Sequence, residues 1–199
     1  MTTGADTEFS EADFAAGRLK STLELVRDFE PASDPLEQLA KNRILNLLEN
    51  TPEPFSRHQF VPGHITASAL VLLPATGSIL LVKHLKLGRW LQPGGHTEPE
   101  DRFPRDTALR EAAEEAGVKI DRGETAGLVA LDVHAIPASG KEPHHEHFDL
   151  MFGFSAADTG LCPSKEVGDA VWCEPGDLTK YEIDGPLIRG LSRIGWRAA

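Results

Sequence analysis

Apolar residues fall at helical intervals in the early part of the chain and in strand-like runs beyond it. From Glu11 to Phe29, the residues Phe14, Leu19, Leu23, Val26 and Phe29 recur at broadly helical spacing, and Pro31 closes the segment. A second helix is expected to start with Asp34 as its N-cap and Pro35 at its first position. Its stripe reads Leu36, Leu39, Ile44, Leu47 and Leu48, and Asn50 with Pro52 stops it. The stretch Thr51 to His64 is rich in turn-formers and reads as a connector. Strand patterns follow at Ile65 to Leu73 and Ser78 to His84, joined through Pro-Ala-Thr-Gly as a hairpin. A short segment at Arg89 to Leu91 precedes a Pro-Gly-Gly turn. A helix is predicted from Pro104 to Ala116 with Gly117 as its C′ residue, and strands at Gly127 to His134, His147 to Phe154 and Ala170 to Cys173. A last helix covers Pro186 to Ile194. Strands on both sides of a central helix predict an α+β fold with a mixed sheet sandwiched by helices. The expected division is residues 1–62 as a helical extension and connector, and 63–199 as the sheet-bearing domain. Residues 1–10 are small and polar, and read as a loose tail.

The 199 residues carry 20 Lys+Arg against 31 Asp+Glu, a formal net charge of −11. That balance argues against a nucleic-acid polymer as partner, because such binding relies on cations that displace counterions along a phosphate backbone. A small phosphorylated ligand stays open, since a divalent cation inverts the local field. No apolar run approaches the ~20 residues of a membrane span, and the best, Ala67 to Leu73, stops at Pro74. Cys162 and Cys173 form no CxxC pair and no disulfide framework, and read as reduced thiols. The acidic N-terminal stretch lacks the basic and apolar regions of a secretory signal. A cytoplasmic protein away from membranes is the expectation.

The chemistry concentrates between Gly94 and Val118. At about 100° per residue, Glu111, Glu114 and Glu115 share one side of the predicted helix, while Leu109, Ala112, Ala113 and Ala116 take the other. Crowded carboxylates repel one another unless something positive sits among them. Hard oxygen ligands of this kind suit Mg²⁺ or Mn²⁺, and the same residues also fit a solvated helix face. The preceding Gly-Gly favours the metal, because glycine permits close backbone approach and lets a carbonyl face the helix. Arg110 can pair with Glu114 or brace a carboxylate from the preceding loop.

Gly95 to Val118 resembles the Nudix box, G-x5-E-x7-R-E-U-x-E-E-x-G-U with U apolar. Gly95, Arg110, Glu111, Ala112, Glu114, Glu115, Gly117 and Val118 match it. The loop departs from it: Asp101 stands where the first Glu belongs, and eight residues rather than seven separate it from Arg110. The resemblance implies an α/β/α sandwich and hydrolysis of a nucleoside diphosphate linked to another group, X, by attack of water on phosphorus. It implies Glu111 and Glu115 as the principal Mg²⁺ or Mn²⁺ ligands, Glu114 as a third, the Gly95 carbonyl as a fourth, and Arg110 as an orienting residue. A further carboxylate, ligand or general base, is implied at Glu166, six residues ahead of Trp172. Two other functions sit on a similar fold. A non-catalytic nucleotide sensor tends to lack box carboxylates, which are present here. An isoprenyl diphosphate isomerase uses a cysteine beside the metal, where this chain reads Trp-Leu-Gln-Pro-Gly-Gly.

Two features lie outside that segment. In His144-His145-Glu146-His147, strand alternation puts His145 and His147 on one face and His144 and Glu146 on the other. Three readings are open: a strand start lining the substrate cleft, with His145 and His96 as substrate-binding residues; a surface cluster; or a zinc site whose third ligand the sequence does not reveal. Trp90 reads as an edge-of-core residue. The N-terminal helices carry apolar stripes that need cover, from their own domain or from a second copy, and a homodimer is the expectation.

Overall fold

The computed structural model describes residues 11–31, 33–140, 142–183 and 185–196, so the expected tail at 1–10 lies outside the described residues. Two helices open the chain, α1 (Glu11–Asp28) and α2 (Pro35–Asn50). The strands β1 (Gly63–Leu73), β2 (Ser78–His84), β3 (Arg89–Leu91) and β4 (Gly94–His96) lead into α3 (Pro104–Ala116). After it come β5 (Ile120–Ile136), β6 (His145–Ala156), β7 (Val167–Cys173), a 3₁₀ turn at Pro175–Lys180 and α4 (Gly185–Arg193). One mixed sheet results. Its centre is the parallel pair β1–β6, which runs in continuous register from Gly63↔Glu146 to Leu72↔Ser155, and the other pairings are antiparallel. The segment expected as a Pro-Gly-Gly turn is instead strand β4, with Gly95 opposite Ala67 and His96 opposite Thr66. Lacking side chains to clash, its glycines sit directly against β1.

Helices cover both faces. On one, Ile65, Ala67, Ala69, Phe148 and Leu150 join Val26, Ile44, Leu47 and Leu48 of the N-terminal helices and Ala108, Ala112 and Ala116 of α3 in a single core. On the other, Leu70, Val129 and Met151 pack against Leu187 and Leu191 of α4, with Trp90 at the margin, edge-on to Tyr181. The N-terminal hairpin thus folds onto its own sheet, which removes the packing reason for a homodimer built through those stripes.

The phase of α2 differs from its apolar reading. Leu36 and Leu39 are exposed, and the buried stripe is Glu37, Ala40, Ile44, Leu47 and Leu48. The cause is electrostatic. Glu37, fully buried, accepts from Arg193 at 3.2 and 3.0 Å and from the Leu131 N–H at 3.4 Å. Arg189 bonds Asp34 Oδ2 at 3.0 Å, while the other Asp34 oxygen caps α2 by accepting from the Leu36 N–H at 2.8 Å. This network ties α2, α4 and β5 together and satisfies a charge that would otherwise forbid burial. On α3 the apolar face is likewise displaced: Ala113 is exposed, and Pro104, Thr107, Ala108, Ala112 and Ala116 are the buried residues. Among the described residues no helix is long and apolar enough to cross a membrane.

Candidate active site

Helix α3 presents its carboxylates at the edge of the sheet because both its ends are pinned. At the start, Pro104 fits the first turn and Asp106 accepts from the Phe103 N–H at 3.1 Å. At the end, Gly117 takes the left-handed conformation (φ 64°), and a Cβ there would meet Cys162 at 2.7 Å. Glu111 and Glu115 border the buried stripe and are half-buried, while Glu114 is exposed. Strand β4 lies against them. A Cβ on Gly95 would stand 2.4 Å from Glu111 Oε1 and push that carboxylate away from the strand, and the Gly94 N–H donates to Glu115 Oε2 at 3.1 Å.

Arg110 is the hub of the loop. It donates Nε–H and Nη2–H to the two oxygens of Asp101 (3.2 and 3.0 Å), Nη1–H to Glu111 and Glu114 (2.9 Å each) and Nη2–H to the His96 carbonyl (2.8 Å). Asp101 Oδ2 also accepts from the Glu98 N–H and the Thr107 hydroxyl, both at 2.9 Å. The shorter carboxylate with its extra loop residue therefore still reaches the arginine. Burial pushes the Asp101 carboxyl up, but these donors outweigh it and hold it below the usual carboxylate range. Glu111 is raised, by burial first, despite the guanidinium beside it. Glu115 is pushed up to about 7, chiefly by burial, with the charges of Glu111, Glu166 and Glu114 adding to it against the single Gly94 N–H.

These groups line a cavity of about 590 Å³, within the range of small-molecule sites. Glu111, Glu114, Glu115 and Glu166 stand on its wall with Gly94, Gly95, Arg110 and Arg57. Strand register supplies its polar floor. Thr66 and Ser68 alternate on one face of β1, where His64 shares the face without lining the cavity; His147 and Asp149 sit beside His64 and Thr66 on β6; and His134 pairs with His147 from β5. Asp149 is buried and accepts from Thr66 Oγ1 at 2.9 Å and Ser68 Oγ at 2.6 Å; burial raises its carboxyl against the pull of those hydroxyls.

The structure brings Gly95, Arg110, Glu111, Glu114, Glu115, Glu166 and His96 to one cavity, with Asp101 just behind Arg110. His145 is not among the lining residues. It is buried, its Nδ1 lies 2.8 Å from the Pro143 carbonyl, and its ring stacks on His64 at 5.1 Å; His147 lines the wall instead. Glu146 points the other way and pairs with Arg43, consistent with strand alternation. His64, Thr66, Ser68, Asp149 and Arg57 were not singled out from the sequence. The alternation His64-x-Thr66-x-Ser68 was the available signal, hidden because His64 read as the end of a connector.

A family model for the NUDIX domain matches residues 62–191. None of the curated proteins matches the chain in sequence. Among solved structures, a NUDIX-family hydrolase from Clostridium perfringens is similar with a TM-score of 0.51 at 21% identity, covering 70% of this chain and 97% of that one. The NUDIX domain of Shewanella oneidensis NrtR, solved with ADP ribose, gives 0.51 at 17% identity, with 75% and 94% covered. A MutT NUDIX hydrolase from Burkholderia pseudomallei gives 0.50 at 20%, with 65% and 96% covered. At these identities the likeness to solved structures is one of fold.

Proposed function

We propose that this chain, which belongs to the NUDIX family, is a divalent-metal-dependent pyrophosphohydrolase that cleaves the phosphoanhydride of a nucleoside diphosphate linked to another group. One observation carries the reading: four carboxylates, Glu111, Glu114, Glu115 and Glu166, converge on one cavity wall around a glycine strand. The donor set fits Mg²⁺ or Mn²⁺, being hard oxygen throughout. Its own counter-charge is incomplete. Arg110 is shared among Asp101, Glu111 and Glu114, and among the described residues neither Glu115 nor Glu166 has an ion-pair partner. Glu111, Glu115, Glu114 and the Gly95 carbonyl are the groups that would hold the cation. Once bound, it would neutralise charge on the non-bridging oxygens and make a bound water more acidic.

The chain's own residues do the rest. Arg110 fixes the loop through Asp101 and the His96 carbonyl, so that β4 and α3 keep their spacing. Gly95, without a side chain, leaves room for Glu111 to reach the strand. Glu166, exposed and on the same wall, is the carboxylate we assign to accepting the proton of the attacking water. Arg57 and His96 border the cavity where the rest of the ligand would lie. The test is a panel of nucleoside triphosphates, dinucleoside polyphosphates, ADP-ribose, NADH and nucleotide sugars with Mg²⁺, scored by released phosphate or pyrophosphate. Turnover of one class supports the reading. Tight binding without turnover anywhere on the panel would point to the nucleotide sensor instead.

A further inference from the structure

Beside the carboxylate wall lies a second cluster of different chemistry. His64 of β1 and His147 of β6 are direct neighbours in the parallel ladder, and His96 of β4 stands opposite Thr66, two residues along the same face. Their ring centroids form a nearly equilateral triangle, 5.0 Å from His64 to His96, 5.0 Å from His64 to His147 and 5.1 Å from His96 to His147. One nitrogen from each lies within 4.8 Å of the others.

Three imidazoles packed together need a reason, since a packed core would use apolar rings and a hydrogen-bonded one would satisfy the nitrogens. Here two of the nitrogens are left unsatisfied. Among the described residues, neither Nε2 of His64 nor Nε2 of His147, both buried, has a hydrogen-bond partner, and His64 is 1% exposed. Leaving such buried groups orphaned is unfavourable unless something not among the protein's own atoms meets them. The tautomer of His64 is also set. Its Nδ1 faces the Gln59 carbonyl at 3.0 Å, so the proton sits there and the Nε2 lone pair points inward. A backbone carbonyl holding the far nitrogen is the usual outer support of a metal-bound histidine.

The geometry points to His64, His96 and His147 as a three-imidazole site for a borderline d-block cation of the Zn²⁺ type, separate from the hard-oxygen site on α3. At Zn–N distances of about 2.0–2.1 Å in a tetrahedral array the nitrogens stand about 3.3 Å apart, so side-chain rotation on a fixed ladder closes the triangle. Because His96 and His147 line the cavity, the fourth position opens onto it, for water or an anionic oxygen of the ligand. Imidazole nitrogen discriminates against Mg²⁺, which keeps the two sites chemically distinct.

The experiment reads binding, not turnover, so its failure leaves the hydrolase reading standing. Full-length protein stripped with EDTA is titrated with Zn²⁺ and separately with Co²⁺, in excess Mg²⁺ to occupy the carboxylates. The expected result is one equivalent of Zn²⁺ retained against Mg²⁺, and an intense visible Co²⁺ spectrum of low coordination number. His64→Gln and His147→Gln should each weaken Zn²⁺ by more than about 100-fold, beyond what loss of an outer-shell partner costs, and Glu115→Gln should leave it unchanged. Zn²⁺ displaced by Mg²⁺, Zn²⁺ lost in Glu115→Gln but kept in the histidine variants, or a weak octahedral Co²⁺ spectrum would each overturn the site. The Co²⁺ spectrum is taken on wild-type protein, so it decides even if a histidine variant does not fold.

Discussion

Replacing Glu115 by Gln tests the electrostatic character of the carboxylate wall without any substrate. In the folded, metal-free protein its carboxyl is pushed from 4.5 up to about 7, burial being the main cause. The fold therefore binds this proton more tightly than the unfolded chain does. Its contribution to stability is fully present below the unfolded value of 4.5 and is lost as pH rises through about 7. Above pH 8 the ionised carboxylate costs the metal-free fold about 3 kcal/mol relative to a neutral side chain. Glutamine is neutral at every pH and keeps an oxygen for the Gly94 N–H. In EDTA at pH 8.5, Glu115→Gln should melt higher than wild type by roughly 6–12 °C, at 2–4 °C per kcal/mol for a chain of this size. By pH 5 the gap should shrink to about 1 kcal/mol or less. Mg²⁺ should reverse the order, raising wild type and leaving the variant nearly unmoved, and catalysis should fall by about 10³-fold with the cation's share of transition-state stabilisation. Thermal melts followed by circular dichroism from pH 5 to 9, with and without Mg²⁺, measure all but the last. Parallel curves for the two proteins across pH, or a less stable variant at pH 8.5, would refute the reasoning.

Hydrolysis should vanish in EDTA and return with Mg²⁺ or Mn²⁺; full turnover by metal-free protein would remove the cation from the mechanism. Asp101→Ala should reduce kcat less than Glu115→Gln, because Asp101 acts through Arg110 rather than on the reacting atoms; an equal or greater loss would make it a direct participant. Glu37→Gln should destabilise by about 3 kcal/mol in urea unfolding, the low end for a broken buried pair because Arg193 keeps some solvent access. A chain beginning at Pro62 uncovers the sheet face that Val26, Ile44, Leu47 and Leu48 bury, and should be recovered insoluble; a soluble product with native circular dichroism would show that the hairpin is dispensable.

How much of this was legible in the sequence depends on the range of the interaction that decides each feature. Helix α3 was legible to the residue, because Pro104 at its start and Gly117 at its end are local signals. The N-cap of α2 was legible for the same reason. The phase of α2 was not. Reading Leu36 and Leu39 as buried follows from hydrophobicity alone, whereas Glu37 is turned inward by arginines more than 150 residues away in sequence. Strand β4 was missed because Gly94, Gly95 and His96 have no strand pattern of their own, and β1 supplies the pairing.

The same distinction explains why the carboxylate cluster and the histidine cluster beside it differ in visibility. Glu111, Glu114 and Glu115 fall on one helix, so their spacing declares that they converge, and only Glu166 and the glycine strand come from elsewhere. The histidines come from three strands, and nothing in the spacing of His64, His96 and His147 says that they meet. They meet because β1 and β6 run parallel in continuous register, setting His64 beside His147, and because β4 doubles back to put His96 opposite Thr66. A parallel neighbour separated by some 83 residues, as in Thr66 and Asp149, is a tertiary fact. Sheet register therefore governs the nitrogen-rich half of the cavity, while helical periodicity governs the oxygen-rich half. A one-residue slip of β6 against β1 would turn His147 and Asp149 to the opposite face of the sheet, dismantling the imidazole triangle while leaving the carboxylate helix intact.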